Sequence, residues 1–164
     1  MARGLQEVLD EDYLSFRVGQ VRYLGELLDQ AGVPILKPIG GHAVYLNAKE
    51  FLPHIPRSDF AAQALAVALY RDCGIRGVEI GTVMFGKKEP TTGRTIHPEL
   101  EMVRLAIPRR VYTNMQIAYV AESIIDLYRR RSRIHGLTLT DEAPMLRHFT
   151  ARFAERQESS LLRL

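Results

Sequence analysis

Between Thr113 and Tyr128 the residues Ile117, Val120, Ala121, Ile124, Ile125 and Tyr128 fall on one side of a 3.6-residue spiral. An apolar face that wide must be buried against another layer of structure, so it fixes the chain as a layered globular fold. Thr113 or Asn114 can cap the start of this helix, and Gly136 is the expected stop. A second helix is predicted from Asp12 to Gln30, where Leu14, Val18, Val21, Leu24 and Leu28 recur at helical spacing before Gly32 and Pro34. A third runs from a Ser58 cap through Phe60, Leu65, Ala68 and Leu69 to Gly74.

The segments between these helices read as strands. Val33–Leu36 and His42–Leu46 are β-prone runs separated by the turn Pro38-Ile39-Gly40-Gly41. Val78–Phe85 leads through the polar turn Gly86-Lys87-Lys88-Glu89-Pro90-Thr91-Thr92-Gly93 into Leu100–Ile107, which reads as a long hairpin. Two extended pieces follow, Leu137–Thr140 and Leu146–Phe153, around Pro144. The expected fold class is α+β, with residues 1–164 forming one unit in which helices cover one face of a small, largely antiparallel sheet. Such a fold serves many functions and names none.

Composition narrows the function by exclusion. No apolar run reaches the roughly 20 residues a membrane helix needs, and the acidic opening MARGLQEVLDEDYL is unlike a secretory signal, so a cytoplasmic protein is expected. A single cysteine, Cys73, excludes an internal disulfide and a cysteine-rich metal site, and it reads as a small buried apolar residue. The net charge of +3 rests mostly on arginine. Its densest run, Arg129-Arg130-Arg131-Ser132-Arg133, follows a helix, where cations complement the negative end of the dipole; it is too short a basic footprint for a nucleic-acid face. There is no phosphate-binding glycine loop, nucleophile elbow or metal-ligand spacing.

Two places carry chemistry. Strand alternation puts Arg104 on the face opposite Val103 and Leu105, in strongly apolar surroundings. An arginine there requires a carboxylate or phosphate partner, either within the protein as an internal salt bridge or on a ligand. Near the C-terminus His148 adjoins Phe149 in a strand-like run, a pairing that suits either an aromatic pocket or an edge packing.

Longer strings resemble a known family. Gly40-Gly41-His42-Ala43-Val44, Leu52-Pro53-His54-Ile55-Pro56, Ala62-Gln63-Ala64-Leu65-Ala66, Gly77-Val78-Glu79-Ile80-Gly81, Val103-Arg104-Leu105-Ala106-Ile107-Pro108-Arg109 with Tyr112-Thr113, and Leu146-Arg147-His148-Phe149-Thr150-Ala151 are similar to the β-eliminating lyases, the pyridoxal-phosphate family of tryptophanases and tyrosine phenol-lyases. They stand in the family's order and reach from about Gly4 to Phe153. The resemblance is to the C-terminal small domain of a fold-type I enzyme. It implies that pyridoxal 5'-phosphate is bound by a large domain outside this chain, or by a companion chain, and that the complete enzyme is a homo-oligomer.

What the resemblance implies for the site is specific. Arg104 matches the arginine that holds the α-carboxylate of the amino-acid substrate, which favours the ligand over the internal salt bridge. Ile80 stands where phenol-lyases carry an arginine for the phenol, and His148 stands where they carry phenylalanine; both match the tryptophanases. Arg104, Ile80 and Phe149 are thus the expected substrate-binding residues, with His148 as catalytic candidate at the indole. The run Pro108-Arg109-Arg110-Val111-Tyr112-Thr113 is closer to the phenol-lyases. Lys87-Lys88 lie in a polar turn and read as solvated, which leaves the Schiff-base lysine outside the chain.

Overall fold

The computed structural model describes residues 2–143 and 146–156. In chain order it contains α1 (Ala2–Glu7), α2 (Glu11–Gln30), β1 (Ala43–Asn47), α3 (Ala48–Phe51), α4 (Ala61–Cys73), β2 (Val78–Ile80) and α5 (Thr82–Phe85). These are followed by β3 (Lys87–Lys88), β4 (Thr95–Ile96), β5 (Met102–Ala106), α6 (Asn114–Arg129), β6 (Leu137–Asp141), α7 (Arg147–Thr150) and β7 (Arg152–Glu155). The class is α+β, and every strand pairing among the described residues is antiparallel.

The main sheet has the order β1-β5-β2, so β5 is central. Its register sets Arg104 opposite Tyr45 of β1 and Val78 of β2. Alternation along β1 and β5 turns Val44, Leu46, Val103 and Leu105 to the core, where they meet Leu24 and Leu28 of α2, Leu65 and Leu69 of α4, and Ile124 and Leu127 of α6. Each fully buried aliphatic side chain in this cluster contributes about 1.5–3 kcal/mol by leaving water. The other sheet face is mixed: Tyr45, Arg104 and Ile80 are half-buried, while Val78 and Ala106 are exposed.

The helix ends follow local chemistry. Thr113 and Gln116 form a reciprocal capping box at the start of α6, as Thr-x-x-Gln allows. Asp10 accepts the Tyr13 N–H at 2.9 Å to open α2, and Gly74 closes α4 at φ 67°, a left-handed conformation without cost to glycine.

Several elements differ from the sequence expectation, each for a physical reason. Val33–Leu36 makes only one bridge, Ile35 to Leu46, because Pro34 and Pro38 offer no N–H to a ladder. Ser58 does not cap α4; it sits in a 3-10 turn, Arg57–Asp59, and the helix begins only after Phe60 in a left-handed conformation. Gly136 does not stop α6, which ends at Arg129 and passes through a second 3-10 turn, Arg131–Arg133. The arginine run there is held locally: Arg130 Nε donates to Asp126 at 3.1 Å and Arg131 stacks 4.1 Å from the Tyr128 ring centroid.

The strand predicted from Val78 to Phe85 stops at Ile80, because the Glu79 carboxylate accepts the Val83 and Met84 N–H groups at 2.9 and 3.1 Å and winds Thr82–Phe85 into a turn of helix. The strand predicted from Leu146 to Phe153 is instead α7 followed by β7, and β7 pairs with β6 with a register shift between Leu139 and Asp141. Phe153 meets Phe60 edge-on at 5.3 Å, which seats this ribbon against the body. Pro144 lies outside the described residues.

Candidate functional site

A cleft of about 790 Å³ lies beside β2, an edge strand of the main sheet. Val67 and Tyr70 of α4 form one wall, Val78 and Glu79 of β2 its floor, and Val83 and Met84 of α5 the far side. Arg104 reaches it from β5, and His148 and Phe149 of α7 stand at its lip. Three of the four residues expected from the sequence are therefore brought together, although they lie as much as 45 positions apart. Ile80 is not among the lining residues: it pairs with Met102, two residues beyond the Val78–Arg104 pair, at the point where Gly81 turns the chain into α5.

Arg104 brings an unpartnered guanidinium nitrogen to the cleft. Its Nε is buried without a hydrogen-bond partner, and none of the ion pairs among the described residues includes it. An orphaned buried guanidinium nitrogen is expensive, on the order of 1–3 kcal/mol or more. The internal salt bridge left open by the sequence is not formed among the described residues.

Behind the cleft wall two buried acids converge on Gly81. A Cβ at that position would lie 2.8 Å from Glu79 Oε1 and in collision with Glu101 Oε2, so only glycine fits between them. Burial, reinforced by the nearby Glu101 charge, pushes the Glu79 carboxyl up to about 7. Burial also raises Glu101, against the hydrogen bonds it accepts from the Thr82 hydroxyl and N–H. Thr82 Oγ1 is in turn 3.0 Å from His97 Nδ1. Burial raises the Cys73 thiol as well, consistent with a packing role.

His148 and Phe149 stack on each other at 4.1 Å, tilted by 47°, and both are exposed, Phe149 by 78%. Glu79 and Arg147 are the parts of the site that the sequence reading passed over. An acid inside an apolar strand between Gly77 and Gly81 was the available signal for the first. None marked the second.

The cleft tests poorly as a cofactor site. None of its lining residues is a lysine, and Lys37, Lys49, Lys87 and Lys88 are all exposed, so the described residues offer the cleft no amine for a cofactor aldehyde. Among the described residues there is also no group of three histidine, cysteine or acidic side chains able to hold a metal, and no helix long and apolar enough to cross a membrane.

The profile of the family described as "Beta-eliminating lyase" matches residues 7–123, well over half of the chain and across Arg104 and the cleft walls. The chain belongs to the β-eliminating lyases. A tyrosine phenol-lyase of Symbiobacterium sp. strain SC-1 is 54% identical over 153 residues, 93% of this chain and 33% of that protein. A tryptophanase of Salinibacter ruber is 56% identical over 151 residues, 92% of this chain and 32% of that protein. A probable tryptophanase of Aeropyrum pernix is 50% identical, again over 92% of this chain and 32% of that protein. This lyase-family chain thus spans about a third of the length of the curated relatives it matches, and relatives with either name resemble it about equally.

Proposed function

We propose that this chain forms the substrate-gripping part of a pyridoxal-phosphate lyase that removes the aromatic group from an aromatic L-amino acid by β-elimination, and that the substrate is tryptophan, released as indole, pyruvate and ammonia. The observation that carries the reading is Arg104: a buried guanidinium nitrogen with no partner of its own, at the floor of a cleft with an aromatic lip. A bidentate pair with the substrate α-carboxylate would satisfy it and fix the orientation of the amino acid.

In this reading the long axis of the substrate runs from Arg104 towards α7. Val67, Val78, Val83 and Met84 exclude water from the aliphatic part, and the aromatic ring lies against Phe149. His148 accepts the indole N–H on an imidazole nitrogen, a bond that suits indole and that the phenylalanine of phenol-lyases could not make. Ile80, beside the cleft and not lining it, brings no guanidinium to match a desolvated phenolic oxygen. Because the described residues do not fit the cofactor, its lysine and phosphate cradle are assigned to a large domain or companion chain, and the 164 residues alone are expected to release no pyruvate. The complete enzyme is read as a cytoplasmic homo-oligomer.

The test is pyruvate release by the holoenzyme carrying this chain. Tryptophan should be preferred to tyrosine by at least one to two powers of ten, the equivalent of an unpaired buried hydroxyl at about 1–3 kcal/mol. Arg104→Ala should lower kcat/KM for tryptophan on the order of 100-fold, with poor recovery in Arg104→Lys, because lysine lacks the planar fork. Ile80→Arg with His148→Phe should move activity towards tyrosine. Equal or faster release from tyrosine by the unsubstituted enzyme would overturn the substrate; full activity in Arg104→Ala would overturn the grip.

A further inference from the structure

We infer that Arg147 is the positioning residue for the aromatic side of the cleft, because its guanidinium ties the helical turn bearing His148 and Phe149 to the carbonyl groups of α5. The turn has little else to hold it. His148, Phe149 and Thr150 are exposed, and Leu146 ahead of them sits in a left-handed conformation at φ 56°. Within α7 only Arg147 is drawn inward, its side chain 15% exposed.

The attachment uses every face of the guanidinium. Nε donates to the Val83 carbonyl at 2.8 Å, and Nη2 donates to the carbonyls of Gly86, at 2.9 Å, and Thr82. Nη1 pairs with Glu142 at 3.1 Å. One planar group with five N–H donors can meet three carbonyls and a carboxylate together, whereas an ammonium on a flexible stem cannot reach the same set. Gly86 leaves room for the α5 carbonyl and the guanidinium together, since a Cβ there would collide with the Thr82 carbonyl and lie 2.8 Å from Arg147 Nη2. The other end of α5 is held by Glu79, so one connected path runs from the β2 floor through Val83 and Met84 to the lip. Arg147 therefore sets the distance between the cleft wall and the His148–Phe149 pair, and with it which aromatic group fits. The identity of that group rests on the function proposed above, whereas the anchoring does not.

Two experiments separate these. The chain contains no tryptophan, so Phe149→Trp in the 164-residue chain gives a single indole reporter on the turn. Its anisotropy decay should follow overall tumbling. Adding Arg147→Ala should introduce a fast component of at least twice the amplitude, with unchanged far-UV circular dichroism, and Arg147→Lys should behave much like Arg147→Ala. Arg147→Met, which removes every donor and keeps the aliphatic stem, should loosen the reporter in the same way and serves if Arg147→Ala does not fold. An indole that rotates freely before any change at Arg147, or one that stays fixed in both Arg147→Ala and Arg147→Met, overturns the inference.

In the holoenzyme, Arg147→Lys should lower kcat/KM for the aromatic substrate by about tenfold or more, mainly through KM. Release from an alanine bearing a small β-leaving group should change by less than about threefold. Equal losses for both substrates would make Arg147 a merely structural residue. If the unsubstituted holoenzyme releases no pyruvate from any of them, the proposed function fails while the anisotropy result stands on its own.

Discussion

Stability should fall as the pH rises through neutrality, and Glu79 should be responsible for a measurable share of the fall. Its carboxyl titrates near 7 in the folded protein against an ordinary value of 4.5, chiefly because burial disfavours the charge. The folded state therefore binds the proton more tightly than the unfolded one. Its contribution to stability is complete below the ordinary carboxylate range and is lost as pH rises through about 7. At about 1.4 kcal/mol per pH unit of displacement, the loss between pH 5 and pH 8 comes to roughly 2.5 kcal/mol. Glu79→Gln cannot titrate, yet its side-chain oxygen can still accept an α5 N–H, so its stability should be flatter over the same range by about that amount. Urea unfolding followed by circular dichroism at half-unit pH steps gives both curves, and the difference in their slopes isolates Glu79 from Glu101, which titrates in both proteins. Parallel curves would refute the reasoning and place the Glu79 charge in contact with water.

Two further outcomes follow from the described geometry. Arg104→Met should leave the fold intact and raise unfolding free energy by about 1 kcal/mol, because it removes an unpartnered buried donor and keeps the aliphatic stem; chemical denaturation of the chain would measure it. Thr113→Ala should lower stability by about 1 kcal/mol through loss of the capping box at α6, read as a shift of the denaturation midpoint without a change of slope.

The readable parts of the fold were those decided locally. The α6 cap needs only Thr113 and Gln116, three positions apart, and the α2 and α4 faces are written in their own periodicity. The pairing of Val78–Ile80 with Met102–Val103-Arg104 was also legible, since both runs are β-prone and joined by a turn. What escaped was decided at a distance. Residues 146–153 alternate like a strand, and nothing within them shows that Arg147 will bind carbonyls 61 to 65 positions earlier. Likewise Thr82–Phe85 has strand-like composition, and it is the buried Glu79 that makes it helical. Of the candidate site, Arg104, His148 and Phe149 were picked out one by one in the sequence and the structure brings them to one cleft; Ile80 it leaves beside the cleft.

Because β6 and β7 pair from Leu137–Glu155 to Asp141–Arg152, the turn bearing His148 and Phe149 is the crown of a hairpin rather than a free tail. Both of its stems are stapled to the body. Residues inserted or removed at the crown would change how far it overhangs the cleft and would cost only the slowly growing entropy of a longer loop, while the sheet and the three packed helices kept their sequence. The overhang can thus drift independently of the fold, which offers a physical route by which one scaffold could come to hold ligands of different size.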